Sequence, residues 1–177
     1  MLFRSTPLWA EYIYGITDIW ISPDSLLDPW RNSNDIFTHL DLFTTLQFSI
    51  FTNAHDVATL WTTKFTTGAV GVAWLSSVCS VAGVNVCSEF TQGIFLLKQL
   101  QSHEIGHNFS CTHDPLGPTI MSPVVNGSGT WSFQSLNQIS DYTIRNGGCL
   151  ADCSGGNIPV AEFDADPPYG CIPLTVQ

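Results

Sequence analysis

Apolar positions along this chain alternate between two periods. In "IFTHLDLFTTLQFSI" the residues Ile36, Phe37, Leu40, Phe43, Leu46 and Ile50 recur at helical spacing, and Asp35 stands where an N-cap belongs. The same period returns from about Glu89 to Phe109. There Ile94, Leu97, Gln101 and Ile105 step along one face, and Phe95 and Leu96 widen it. A third helix is predicted from Ser132 or Gln134 to Arg145, with "NGG" as a left-handed stop after it. "TDIWISP" (17–23) and "AVGVAWL" (69–75) are rich in β-branched and aromatic residues and read as strands. "DVATLWT" leads into a short break. The stretch holding Cys79 and Cys87 reads as a loop, and "PLGPTIMSPVVNGSG" is broken by proline and glycine.

The pattern changes after Cys153. "SGGN" is linker-like, and the Pro-rich alternation of "IPVAEFDADPPYGCIPLTVQ" is a β pattern. The division is therefore residues 1–152 as one domain, 153–158 as a linker and 159–177 as the start of another domain. Apolar residues make up 44% of the chain and charged residues 11%, which excludes global disorder. The net charge of −10, from 5 Lys+Arg against 15 Asp+Glu, argues against nucleic acid and anionic membrane as partners, because both need clustered cations. No apolar run reaches the roughly 20 residues of a membrane span. Six cysteines without a CxxC pair, few lysines and many hydroxyl residues fit a secreted, disulfide-bearing protein. "MLFRSTPLWAEY" lacks the continuous apolar segment of a signal peptide, so the chain is read as part of a longer precursor.

The chemistry concentrates in "HEIGHNFSCTH", residues 103–113. His103 and His107 are four apart on a predicted helix, so their imidazoles share a face and can reach one Zn²⁺. Glu104 sits about 100° further round the helix, which suits a general base acting on water. His113 lies six residues past His107. A continuing helix would carry it about 240° away, so the helix must break for it to become a third ligand. Three protein ligands leave one position open, as catalysis requires. His39 and His55 lack such spacing and are read as core or surface histidines. The six tryptophans are scattered and are read as packing residues.

HExxH with a third histidine and a downstream "TIMSP" resembles the metzincin signature. Within that group "HEIGHNFSCTHD", "HDVATLWT", "GAVGVAWLSSVC" and the closing "GGCL" resemble the adamalysin/reprolysin metalloproteases over roughly residues 12–152. The resemblance implies an α/β (α+β) metzincin fold: a twisted mixed sheet, an active-site helix and a C-terminal helical subdomain. It also implies a zinc endopeptidase in which His103, His107 and His113 bind zinc, Glu104 is the base and Met121 forms a floor beneath the metal. Strand 69–75 would receive an extended peptide or protein substrate by β-addition, and Ser122 to Val125 would wall the pocket for the residue after the cleaved bond. Cys79–Cys149 matches a family disulfide, and Cys87–Cys111 is a weaker pairing. Asp56 and Asp152 match positions that join a Ca²⁺ site in some members. The tail is similar to the opening of a PKD domain, an immunoglobulin-like sandwich.

The chain departs from the family pattern in two places. Ser110 replaces a glycine where the helix must turn, which costs about 1 kcal/mol if the turn needs φ > 0. The family's first strand and long helix have no counterpart ahead of residue 17, so these N-terminal elements are expected to be missing. Two other functions compete: a non-catalytic adhesion or binding module on the same fold, and a zinc hydrolase of non-protein substrates. An intact set of three histidines with Glu104 argues against the first. The β-rich edge strand argues against the second.

Overall fold

The computed structural model describes residues 2–3, 12–13, 15–65 and 68–150. The linker, the PKD-like segment, Asp152, Cys153 and Cys171 lie outside the described residues.

Helix α1 spans Ile36–Ile50, as its period predicts. Asp35 caps it by accepting from the Thr38 N–H at 2.9 Å and the Thr38 hydroxyl at 2.7 Å. Ile36, His39, Leu40, Phe43 and Gln47 form its buried stripe. That stripe faces a three-stranded sheet in the order β3–β5–β4: β3 is Ala58–Thr62, β4 is Gly71–Ala73 and β5 is Val84–Ser88. β5 runs parallel to β3 and antiparallel to β4, so the sheet is mixed.

β5 is buried along its whole length and divides the interior. Val84 and Val86 join Trp30, Ile36, Leu40, Phe43, Ala58 and Phe65 in a core under α1. Asn85 points to the other face, where α2 (Ile94–Asn108) packs, and its side chain donates to Asn108 Oδ1 at 2.8 Å. A second core of Val78, Ile105, Phe109, Cys111, Ile120, Met121, Ile139 and Tyr142 ties α2 to the third helix, α3 (Phe133–Asn146). Ser132 caps α3 by accepting from the Ser135 N–H at 2.9 Å. A disulfide joins Cys79 to Cys149 across 70 residues.

The architecture is the α+β arrangement expected, with several corrections. Residues 17–23 are not a strand. Ile16, Ile19 and Ile21 are more than half exposed and find no strand to pair with among the described residues, and β propensity alone does not make a ladder. Two strands were not anticipated: "ATLWT" is β3, and the presumed loop holds β5. A short antiparallel pair, β1 (Leu2–Phe3) with β2 (Tyr12–Ile13), stands ahead of them. In α2, Ile94 and Phe95 lie exposed, and burial begins only at Gln99 and runs to the end of the helix. Gly147 ends α3 at φ −77°, not in the left-handed region. It is needed because a Cβ there would meet the Thr143 carbonyl at 2.6 Å. Cys87 and Cys111 are not bonded to each other. Both are buried free thiols, one in β5 and the other in the second core.

Candidate metal centre

α2 ends at Asn108, and the chain reverses through Ser110 at φ 77°. The Ser110 N–H donates to the His107 carbonyl at 2.9 Å, and the Cys111 N–H donates to the Gly106 carbonyl at 2.9 Å. This pair of bonds is a Schellman motif, here with serine where glycine is usual. The Ser76 hydroxyl donates to Ser110 Oγ at 2.9 Å, and Ser76 itself stands at φ 59°. The N–H groups of Ser76 and Ser77 meet the last carbonyls of α2, at His107 and Asn108, at 3.0 and 2.8 Å. Two left-handed serines thus hold the break that the third histidine requires.

The turn brings His113 back to His103 and His107. One ring nitrogen from each lies within 4.8 Å of the others, and the ring centroids are 4.7–5.1 Å apart. His103 Nδ1 lies 2.8 Å from the Ile120 carbonyl, and His107 Nδ1 lies 2.7 Å from the Cys111 carbonyl. A carbonyl only accepts, so both Nδ1 atoms carry the proton and both Nε2 atoms present a lone pair. His103 Nε2 and His113 Nε2 stand 3.2 Å apart. Burial holds the His103 imidazole down to about 4, against the opposing pull of the Ile120 carbonyl, and burial also lowers His107.

Glu104 is 4% exposed, and its Oε2 has no hydrogen-bond partner. Burial pushes its carboxyl up to about 8. Room for it comes from Gly71 in β4, where a Cβ would run into Glu104 Oε1 and meet Leu100 Cδ1 at 2.7 Å. Met121 is fully buried against Gly106 of α2, where a Cβ would lie 2.6 Å from its sulfur. Asp114, also buried, locks the return loop to α3: Oδ1 accepts from Ser132 Oγ at 2.6 Å and Oδ2 from Thr119 Oγ1 at 2.6 Å. On the sheet side the Asn108 carboxamide donates to the carbonyls of Trp74 (2.9 Å) and Val84 (3.1 Å). Gly71, Asn85, Asn108, Ser132 and Ser135 were missed as supporting residues; only the position of Asn108 beside His107 hinted at its part.

A cleft of about 810 Å³ opens over the cluster. It is lined by His103, Glu104, His107 and His113, by edge strand β4 and by Ser122 to Val125. Among the described residues these three histidines are the one group of three ligand-type side chains close enough to hold a metal ion. His39 and His55 stand apart from it, bonded to Ser33 and Gln47. Asp56 is exposed and belongs to no such group among the described residues. The donor set fits zinc: three imidazoles converge, two of them presenting Nε2 lone pairs, beside a buried Glu104 oxygen with no hydrogen-bond partner.

An α+β frame that gathers three imidazoles and a buried glutamate beside what is an edge strand among the described residues is the framework of a metallopeptidase. A family model described as metallo-peptidase family M12, Reprolysin_5, matches residues 16–148. The chain is 31% identical over 115 residues to disintegrin and metalloproteinase domain-containing protein 9 of Homo sapiens, covering 59% of this chain and 14% of that protein. It is 26% identical over 84 residues to the zinc metalloproteinase-disintegrin-like atrase-A of Naja atra, covering 43% of this chain and 14% of that protein. The matched regions thus span about a seventh of these relatives. The chain belongs to metallo-peptidase family M12, among its adamalysin/reprolysin-like metalloproteases. Peptides or proteins are the substrates of this class, and no helix among the described residues is long and apolar enough to cross a membrane.

Proposed function

We propose that the protein is a secreted zinc endopeptidase in which His103, His107 and His113 hold the metal through Nε2 and Glu104 moves the protons. The observation that carries this reading is the convergence of the three rings, two of them fixed by backbone carbonyls, beside the unpartnered Glu104 Oε2. Zinc bound there supplies Lewis acidity toward water and a peptide carbonyl. Glu104 Oε2 takes a proton from the attacking water and returns it to the amine that leaves. β4 is an edge strand among the described residues, and an extended substrate backbone added there would carry its carbonyl toward the histidines. Ser122 to Val125 line the same cleft and would wall the side chain that follows the cleaved bond. Export is supported by the Cys79–Cys149 disulfide, which reducing compartments do not sustain.

The test compares zinc content and cleavage of casein and peptides by the chain and by Glu104→Ala. Cleavage lost with zinc retained supports the assignment. Zinc retained with no cleavage by the parent would favour a binding module, and hydrolysis confined to non-peptide amides or esters would move the substrate class.

A further inference from the structure

α2 carries one more inward polar side chain on the ligand face. Gln99, His103 and His107 follow at intervals of four, and Gln99 is 2% exposed. None of its three hydrogen bonds goes to a histidine ring or to Glu104. It reaches instead to both ends of the loop that follows His113. Gln99 Nε2 donates to the Thr119 carbonyl at 3.1 Å, and Gln99 Oε1 accepts from the N–H groups of Asn126 at 2.7 Å and Gly127 at 2.5 Å. Between those attachment points run Ile120, whose carbonyl holds His103 Nδ1, then Met121, then the cleft-lining Ser122 to Val125. Ser122 is buried, with its hydroxyl donating to the Gly117 carbonyl at 2.9 Å, but Val124 is 72% exposed, so packing does not hold the outer part of that stretch. Gly127 stands at φ 85°, a left-handed residue that lets its N–H turn toward Gln99 beside that of Asn126.

We infer that Gln99 is a positioning residue for substrate selection: one buried carboxamide staples both ends of the 119–127 loop to the metal-site helix and so sets the depth of the wall formed by Ser122 to Val125. The inference rests on the endopeptidase reading for its consequence, but the staple itself is independent of catalysis. A glutamine is suited to this task because it alone among side chains of its length supplies both an N–H donor and a double acceptor. Loosening it frees the wall, while Ile120, the partner of His103, keeps its own N–H bond to the Thr130 carbonyl at 2.8 Å and His107 keeps the Cys111 carbonyl outside the loop. The effect should therefore fall on which side chain is accepted and less on turnover of a well-fitting one.

The experiment uses the zinc-loaded chain with Gln99→Met, which keeps the volume, and Gln99→Glu, which keeps the double acceptor but loses the donor to Thr119. Paired peptides identical except for alanine or leucine after the cleaved bond are assayed for kcat and KM. Backbone hydrogen exchange is followed at Asn126 and Gly127, with α3 amides as reference. Gln99→Met is expected to change the leucine-to-alanine ratio of kcat/KM by about tenfold, mainly through KM. It is also expected to speed exchange at Asn126 and Gly127 by about tenfold or more with α3 unchanged. Gln99→Glu should retain protection at those two amides while still shifting the ratio. A uniform fall for both peptides would show a merely structural residue and overturn the inference, and so would unchanged protection in Gln99→Met. A parent that cleaves neither peptide would overturn the endopeptidase reading and with it the role in selection. The exchange arm would still decide whether Gln99 holds the wall.

Discussion

At the residue scale, Ser110 is the clearest departure from its family's pattern, and the turn keeps the backbone that glycine would serve, at φ 77°. Its hydroxyl bond to Ser76 offsets part of the strain. Alanine would keep the strain and lose the bond, whereas glycine would lose both. Ser110→Gly should therefore be more stable than Ser110→Ala by about 1 kcal/mol in denaturant unfolding, and equal midpoints would refute the strain argument. His39 supplies a pH prediction. Burial lowers its pKa from 6.5, the Ser33 carbonyl opposes that, Lys64 adds to it, and Asp28 and Asp35 pull back. The unfolded chain thus takes up a proton at a higher pH than the native protein does. The His39 contribution is fully present above 6.5 and is lost as pH falls from there toward the depressed value. His39→Gln should flatten the stability profile just below that pH; an identical slope in both proteins would assign it to other groups.

At the element scale, what the sequence discloses follows from how many faces an element buries. α1 covers one core with one stripe, so its period and its bounds were legible. β5 is buried on both faces and carries Asn85 and Ser88, so neither alternation nor a pure apolar run announced it. The last turns of α2 are enclosed on nearly every side, which erases a single-face reading. The reverse error, at 17–23, came from propensity without a partner strand. The site's ligand-type residues were legible because their offsets are local. Gly71, Asn85 and Gln99 were not, because each acts only across tertiary contacts. Gly71 makes this testable. A methyl in β4 must displace Glu104, so Gly71→Ala should keep its zinc content yet lower kcat/KM roughly 10²-fold. Full activity in that variant would mean the carboxylate does not need its observed place.

At the scale of the whole molecule, one core takes Val84 and Val86 from β5 and the other joins α2 to α3, and a disulfide ties the ends of the α2–α3 half. Cys79 lies beside the residues that cap α2, and Cys149 follows α3, so the 70-residue bridge encloses the three histidines, Glu104 and the 119–127 loop. The chain-entropy model gives about 4 kcal/mol for closing such a loop. Paired Cys79→Ser and Cys149→Ser substitutions should lower the unfolding free energy by an amount of that order. An unchanged midpoint would show that the cores alone hold the site together.

The central claim is that His103, His107 and His113 bind zinc for hydrolysis in which Glu104 carries the proton, and it is most directly tested by measuring zinc content and peptide cleavage in the chain and in Glu104→Ala side by side. The account predicts about one zinc per chain in both proteins and cleavage reduced roughly 10²–10⁴-fold in the variant. Equal cleavage by the two proteins, or no stoichiometric zinc in the parent, would contradict it.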